Sequence, residues 1–244
     1  MVNVFIDGKE GTTGLQIFER LGKRNDVSIV TLPEELRKDP AARKECINGA
    51  DIVFLCLPDA AARESVSLCE NERVRILDAS TAHRTNPAWA YGFPELSKEH
   101  RRRIAEGKRV AVPGCHASGF ISLVYPLIAG GIIAPDYPLV CHSVTGYSGG
   151  GKKMIAEYES EGRSIALDSP RQYALGQAHK HLPEMQAVCG LTYAPSFQPI
   201  VSDYYCGMCV TVPLHVRLMQ KKMGVKELKQ YFAEYYARQN FIKI

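Results

Sequence analysis

Cys115 is the residue of this sequence whose surroundings most favour nucleophilic chemistry. Residues 113–118 (PGCHAS) join a short strand, predicted for residues 109–112, to an apolar helix predicted for residues 116–129. The thiol then lies at a helix N-terminus, where the helix dipole and unpaired backbone amides stabilise a thiolate. The same amides can stabilise the oxyanion that forms when sulfur adds to a carbonyl. We therefore predict that Cys115 is a nucleophile and not a buried structural cysteine.

The densest histidine cluster is the segment 179–184 (HKHLPE), immediately before a predicted helix. Histidine suits proton transfer at a thiolate because its ordinary pKa lies near neutrality. We predict that His179 or His181 is the acid/base, with Glu184 able to orient an imidazole. The His-x-His spacing is also found in zinc sites, but no third ligand follows at a suitable spacing, so we predict no metal.

A glycine-rich segment, residues 8–14 (GKEGTTG), follows the first predicted strand and precedes a helix. Glycines permit a tight turn and a close approach to a pyrophosphate, whose charge the helix N-terminus stabilises. The strand-loop-helix context predicts a dinucleotide-binding loop. At the end of the second strand, where an NAD enzyme often has an acid, stand Leu32 and Pro33. Arg37 and Lys38 follow and can bind a 2′-phosphate, so we predict NADP as the cofactor.

An open sheet must position these residues. Short apolar runs alternate with helical patterns in the first third of the chain, which is typical of a parallel sheet with helices on both faces. The strands are predicted for residues 2–6, 27–32, 51–57, 74–79 and 109–112. Beyond residue 115 we predict a helix and two long strands, residues 139–145 and 204–218, and an amphipathic helix, residues 225–238.

The predicted fold class is α/β, with an N-terminal Rossmann-type doubly wound sheet and an α+β substrate and dimerisation domain. The dinucleotide-binding domain is predicted for residues 1–114 and the catalytic domain for residues 115–244.

Composition excludes several classes of protein. The 244 residues include 30 basic and 26 acidic ones, with a formal charge of +4, and only the run 101–103 is strongly basic. We therefore predict no nucleic-acid partner. No apolar segment is long enough to span a bilayer and the N-terminus lacks a secretory signal, which predicts a cytoplasmic protein. The eight scattered cysteines are predicted to be mostly buried free thiols, and Cys206 with Cys209 is weak evidence for a metal or redox site.

Six motifs together resemble the short form of N-acetyl-gamma-glutamyl-phosphate reductase, over the whole length of the sequence. They are residues 8–14, 57–59 (LPD), 78–84 (DASTAHR), 91–95 (YGFPE), 113–115 (PGC) and 179–184. The glycine-rich segment 148–153 (SGGGKK) is similar to a loop of that family that ends in a basic residue.

The resemblance implies that NADPH reduces N-acetyl-gamma-glutamyl phosphate to N-acetylglutamate semialdehyde through a Cys115 thioester, a step of arginine biosynthesis. It implies His179 as the acid/base and a homo-oligomer, either dimer or tetramer. The implied substrate-binding residues are Arg84, Lys152, His181 and Glu184. The implied cofactor-binding residues are Gly8, Gly11, Thr12, Thr13, Gly14, Pro58 and Ser80.

Members of that family usually continue beyond the point that matches Ile244, so we expect the second domain to be incomplete at its C-terminus. Two other interpretations stay open. Aspartate-semialdehyde dehydrogenase has the same fold and thiol chemistry but acts on another acyl phosphate. The chain can also be a catalytically inactive NADP-binding module.

Overall fold

The structure is a computed structural model that describes residues 1–9 and 12–244. These residues form two compact units. Unit 1 comprises Met1–Pro94 and Glu99–Pro113, and unit 2 comprises Glu95–Lys98 and Gly114–Ile244.

Unit 1 contains a six-stranded sheet in which every neighbouring pair of strands is parallel. The strands are β1 (Val2–Asp7), β2 (Val27–Val30), β3 (Ile52–Leu55), β4 (Arg75–Asp78), β5 (Ala90–Tyr91) and β6 (Arg109–Ala111). Their order is β2-β1-β3-β4-β6-β5. The helices are α1 (Thr12–Leu21), α2 (Pro40–Gly49), α3 (Asp59–Ser67) and α4 (Lys98–Glu106). This topology confirms the predicted Rossmann-type sheet.

The sheet of unit 1 is built around apolar strands. Alternate residues of β3 and β4, among them Val53, Leu55 and Ile76, have no solvent-exposed surface. They pack with Phe5 and Trp89 in one core cluster. Burial of these side chains holds the strand ends in place, and the carboxyl ends of the strands are where such sheets bind ligands.

Unit 2 contains a four-stranded mixed sheet. Its elements are α5 (Cys115–Ala129), β7 (Val140–Gly146), α6 (Gly151–Glu159), β8 (Arg171–Gln172), α7 (Leu182–Cys189), β9 (Ser196–Ser202), β10 (Met208–Thr211) and α8 (Val225–Tyr235). The strand order is β10-β7-β9-β8, with β7 and β9 parallel and the other pairs antiparallel. The mixed sheet with helices confirms the predicted α+β second part.

Helix α5 contains Pro126, which lacks the N–H that would bond to the carbonyl of Ser122. The hydroxyl of Tyr236 donates to that carbonyl at 2.7 Å. The hydroxyl of Tyr231 donates to the carbonyl of Pro126 at 2.6 Å. These two tyrosines therefore anchor the C-terminal half of the helix whose first residue is Cys115.

Two sequence-based predictions, one about unit 2 and one about the cysteines of both units, are wrong. Of the predicted strand 204–218, only β10 is a strand, because Gly207 before it takes the left-handed region with φ 105° and Pro213 after it cannot donate to a ladder. All eight cysteines are free thiols, but only Cys141 and Cys189 are buried. Strand β9 is missing from the prediction because Pro199 interrupts its apolar alternation.

Across the two described stretches, no helix is at once long enough and apolar enough to cross a membrane.

Candidate active site

Cys115 is exposed and is the first residue of α5. The preceding Gly114 is the N-cap in extended geometry, and its N–H donates to Oε1 of Glu184 at 2.8 Å. Glu184 lies in the first turn of α7 and is almost fully buried. The first amides of a helix have no partner within it, so the start of α5 presents backbone donors beside the thiol.

Three histidines of unit 2 form one cluster. The ring centroids of His116 and His179 are 5.8 Å apart, those of His116 and His181 are 5.6 Å apart, and those of His179 and His181 are 4.7 Å apart. His116 follows Cys115 directly in the sequence. The structure therefore brings the predicted pair, His179 and His181, to the N-terminal turn of α5.

His116 is buried between two hydroxyl groups. Its Nδ1 lies 2.6 Å from Oγ of Ser143, and its Nε2 lies 2.8 Å from the hydroxyl of Tyr173. Burial, with a smaller contribution from His179, lowers the pKa of His116 to about 4. The ring is therefore neutral near pH 7 and does not act as the acid/base of the reaction at that pH.

His179 has the features that a base requires. It is half-buried, and its Nδ1 accepts a hydrogen bond from the backbone N–H of His181 at 3.2 Å. Burial and then the charge of Lys180 lower the pKa of His179 below its ordinary value. The neutral ring thus carries its proton on Nε2, and it accepts a second proton only at Nδ1, after the hydrogen bond from the His181 N–H is given up.

The other predicted substrate residues of unit 2 lie in different surroundings. His181 is 4% exposed and Glu184 is 1% exposed, so both belong to the buried side of the cluster. Lys152 is an exposed residue of the first turn of α6. Within the part of the chain that is described, no hydrogen bond or ion pair links Lys152 to the histidine cluster.

In unit 1, the segment 78–84 is a loop held by its own hydrogen bonds. The carboxylate of Asp78 accepts from the backbone and hydroxyl of Ser80 at 2.9 and 2.7 Å, and its Oδ2 lies 2.6 Å from Nδ1 of His83. Arg84 donates from Nε to the carbonyl of Val112 at 2.9 Å and from Nη2 to that of Ala79 at 3.0 Å. Arg84 therefore joins the carboxyl ends of β4 and β6.

A cavity of about 380 Å³ lies at the carboxyl ends of β1 and β3. The strand order of the sheet reverses between these two strands, which is the usual ligand position in such folds. The lining residues include Asp7 at the end of β1, Gly8 and Lys9 after it, and Cys56 and Leu57 after β3.

The backbone around this cavity requires glycine. Gly8 has φ 88°, and a Cβ there would lie 2.5 Å from the carbonyl oxygen of Cys56. A Cβ on Gly14 would lie 2.5 Å from the carbonyl oxygen of Gly8. Thr13 is exposed on α1. The predicted cofactor residue Gly11 and the side chain of Thr12 lie outside the described residues.

Arg37 and Lys38 line the same cavity, together with Leu32 and Glu34. The cations predicted to receive a 2′-phosphate therefore border the cavity that begins at the glycine turn. Neither Pro58, which caps α3, nor Ser80 is a lining residue of this cavity. Their role in cofactor binding stays a prediction.

The sequence did not predict one member of the histidine cluster, His116, or its two hydrogen-bond partners, Ser143 and Tyr173. His116 carried a signal, since it follows the predicted nucleophile directly. Ser143 and Tyr173 lie 27 and 57 residues from His116, and no local pattern marks them. In residues 1–9 and 12–244, no group of three His, Cys, Asp or Glu side chains is arranged to hold a metal.

Comparisons with known proteins point to one family. Residues 19–104 match the family described as semialdehyde dehydrogenase, NAD binding domain, and residues 115–244 match semialdehyde dehydrogenase, dimerisation domain. A Chelativorans protein named N-acetyl-gamma-glutamyl-phosphate reductase is 48% identical over 96% of this chain and 75% of its own length. A Trichormus variabilis protein of the same name is 43% identical over 99% of this chain and 76% of its own length.

Solved structures share the fold. An aspartate semialdehyde dehydrogenase from Francisella tularensis superposes with a TM-score of 0.69 at 12% identity, covering 96% of this chain and 81% of its own. The Candida albicans enzyme with NADP gives a TM-score of 0.66 at 15% identity, covering 96% and 77%. At such low identity, the likeness establishes the common architecture.

Proposed function

Since this chain belongs to the N-acetyl-gamma-glutamyl-phosphate reductase family, we propose that it reduces N-acetyl-gamma-glutamyl phosphate to N-acetylglutamate semialdehyde. The reaction uses NADPH, releases phosphate and belongs to arginine biosynthesis. The observation that carries the proposal is an exposed thiol that begins α5, next to a buried histidine in contact with His179.

The proposed reaction begins with the proton of the Cys115 thiol, which His179 accepts on Nδ1 as this atom gives up its hydrogen bond from the N–H of His181. The thiolate adds to the acyl carbon, and the amides at the start of α5 stabilise the oxyanion. The oxyanion collapses, the carbon–oxygen bond to phosphate breaks and a thioester forms, while His179 returns its proton to the departing phosphate. After reduction, the carbon–sulfur bond breaks to release the aldehyde, and the Cys115 thiolate takes up one proton from solvent.

Bound NADPH would supply the hydride for reduction of the thioester. The unit 1 cavity fits such a cofactor because Gly8 and Gly14 let the backbone fold tightly at its edge, where a Cβ would collide with neighbouring backbone. These glycines and the start of α1 would hold the pyrophosphate, as in other dinucleotide sites. Arg37 and Lys38 would bind the 2′-phosphate, which supports NADP over NAD.

The remaining assignments are part of the same proposal. Residues 1–114 form the dinucleotide-binding domain, and residues 115–244 form the catalytic and dimerisation domain of a cytoplasmic homo-oligomer. Pro58 and Ser80 complete the cofactor site. The substrate is held by Arg84, Lys152, His181 and Glu184. Position supports His181 and Glu184 best, since His181 belongs to the histidine cluster and Glu184 accepts the N–H of Gly114.

The proposal is tested by running the reaction in reverse: the chain is incubated with NADP, phosphate and one of two aldehydes, and the formation of NADPH is followed by its absorbance. We expect a higher kcat/KM for N-acetylglutamate semialdehyde than for aspartate semialdehyde, and the opposite preference would reject the assignment. NADPH binding without turnover of either aldehyde would favour an inactive binding module.

Cys115→Ser should lower kcat by on the order of 10⁴-fold, because the hydroxyl is a far poorer nucleophile at neutral pH. Cys209→Ser, at another exposed cysteine, is the matched control and should retain full activity. Full turnover in the Cys115 variant would exclude the covalent mechanism.

A further inference from the structure

We propose that Tyr173 is a further catalytic residue whose hydroxyl donates a hydrogen bond to the acyl oxygen of the substrate at Cys115, directed by His116 and Ser143. This inference rests on the proposed function, since it requires an acyl group bound to that thiol. Tyr173 neither gains nor loses a proton, and its contribution is stabilisation of the oxyanion.

Tyr173 lies inside the histidine cluster of unit 2. Its hydroxyl is 2.8 Å from Nε2 of His116, and its ring centroid is 6.0 Å from that of His179. Burial and then the charge of the nearby Cys115 sulfur raise the pKa of Tyr173 to about 12. The hydroxyl therefore keeps its proton throughout the neutral range, as a donor must, and its hydrogen-bond partner His116 directly follows Cys115 in α5.

His116 determines which way the hydroxyl donates. A neutral imidazole has one donor and one acceptor nitrogen. When fully buried Ser143 donates to Nδ1, the Nε2–H donates to the tyrosine oxygen, and the tyrosine proton is left for the substrate. With the opposite tautomer, the Tyr173 hydroxyl would donate its hydrogen bond to Nε2 of His116 and could not donate to the substrate. Catalysis by Tyr173 therefore requires the Nε2–H tautomer.

The loop that carries Tyr173 is held firmly against β9. The backbone N–H of Tyr173 donates to the carbonyl of Pro199 at 3.1 Å. The side-chain amide of Gln177 donates to the carbonyl of Phe197 at 2.7 Å and accepts from its N–H at 2.8 Å. Ala174 and Gln177 both take positive φ, 53° and 52°, a backbone region that non-glycine residues rarely adopt. Such strain persists where surrounding contacts over-determine a conformation, which is consistent with a loop that positions a reactive side chain.

The first test compares Tyr173→Phe with Tyr193→Phe, a matched variant at an exposed tyrosine. Loss of one oxyanion donor should lower kcat by about 10²-fold in Tyr173→Phe, with unchanged NADPH affinity. The unfolding midpoint should fall slightly, because the buried Nε2–H of His116 loses its acceptor. Tyr193→Phe should match the wild type. A kcat within twofold of the wild type in Tyr173→Phe would overturn the inference.

The second test separates the two ends of the His116 ring. His116→Gln places an amide near the Nε2 position and can still donate to Tyr173, whereas His116→Asn reaches only toward Ser143. We expect His116→Gln to retain most of the kcat and His116→Asn to lose about as much as Tyr173→Phe. The double variant His116→Asn with Tyr173→Phe should lose no more than either alone, because both act through one hydroxyl. Fully additive losses of kcat would contradict the proposal that His116 acts through the Tyr173 hydroxyl.

Alkylation of Cys115 by iodoacetamide, followed by mass spectrometry of its peptide, gives a readout without substrate. If Tyr173 acts only on the acyl oxygen, the alkylation rate of Cys115 in Tyr173→Phe should stay within about threefold of the wild-type rate. If the alkylation rate falls by the same factor as kcat, Tyr173 acts on the sulfur, which contradicts the inference. A wild type without reductase activity would reject the proposed function and the inference together, whereas an active wild type and an active Tyr173→Phe reject the inference alone.

Discussion

Cys115 and His116 are neighbours in the sequence but occupy opposite environments. Cys115 is exposed, whereas His116 is 3% exposed. Successive residues of a helix point about 100° apart, so α5 directs one toward solvent and the other toward the interior of unit 2. The buried ring supports the site through Ser143 and Tyr173, and the exposed thiol is accessible to a substrate.

The buried neutral His116 predicts a pH dependence of stability. Its pKa is about 4 in the folded state against 6.5 ordinarily, so between these values only the unfolded state binds the proton. The contribution of the neutral His116 ring to the free energy of unfolding is therefore complete above pH 6.5 and is lost as the pH falls toward 4. Relative to His116→Gln, the wild type should lose on the order of 3 kcal/mol of unfolding free energy over this range. Urea denaturation at pH 7 and pH 4.5 measures the difference, and equal losses in both proteins would contradict it.

Helix α5 is controlled at both ends by other elements of unit 2. Glu184 of α7 accepts the N–H of Gly114 before the thiol, and Tyr236, just after α8, satisfies the carbonyl that Pro126 leaves open. A carboxylate buried beneath a helix N-terminus complements the positive end of the dipole. The position of the nucleophile therefore depends on α7 and α8 as well as on its own turn.

The turn between β1 and α1 makes a separate prediction about the cofactor. Gly8→Ala would force a Cβ to within 2.5 Å of the Cys56 carbonyl at a residue with φ 88°. Since the backbone must shift at the mouth of the cavity, we expect NADPH to bind at least about tenfold more weakly, by a loss of about 1.4 kcal/mol. Fluorescence titration of NADPH measures this affinity.

Gly49→Ala, at the end of α2, is the matched control because no atom lies within 4 Å of the added Cβ. We expect unchanged NADPH affinity in this variant. Equal affinity in Gly8→Ala and Gly49→Ala would show that the glycine turn is not the pyrophosphate site.

At the scale of the whole molecule, residues 115–244 match a dimerisation domain, which indicates a homo-oligomer. Unit 2 exposes several large apolar side chains, among them Ile165, Leu175 and Val225. We expect sedimentation velocity at micromolar concentration to give at least twice the mass of one chain. A single monomeric species over that range would contradict an oligomer built on this part of the chain.

The sequence by itself determined the Rossmann-type sheet, the glycine turn at Gly8 and the family. These depend on patterns within one or two neighbouring elements, such as apolar alternation and strand-loop-helix order. The segment around Cys115 was recognisable for the same reason, because a helix N-terminus and its first residue are adjacent in the chain. The extent of strand 204–218 was mispredicted, since local apolarity does not reveal where a ladder partner ends.

Only the tertiary structure decided which side chains surround the nucleophile. His116, Ser143 and Tyr173 come from α5, β7 and the loop after β8, and their contact depends on the pairing of β7, β8 and β9. Burial of the ring, and hence its neutral state, follows from that packing and not from the residue type. The sequence thus determines which ionisable side chain stands at a position. Its protonation state and the direction of its hydrogen bonds depend on the tertiary structure, because the residues that exclude solvent and supply hydrogen-bond partners come from distant parts of the chain.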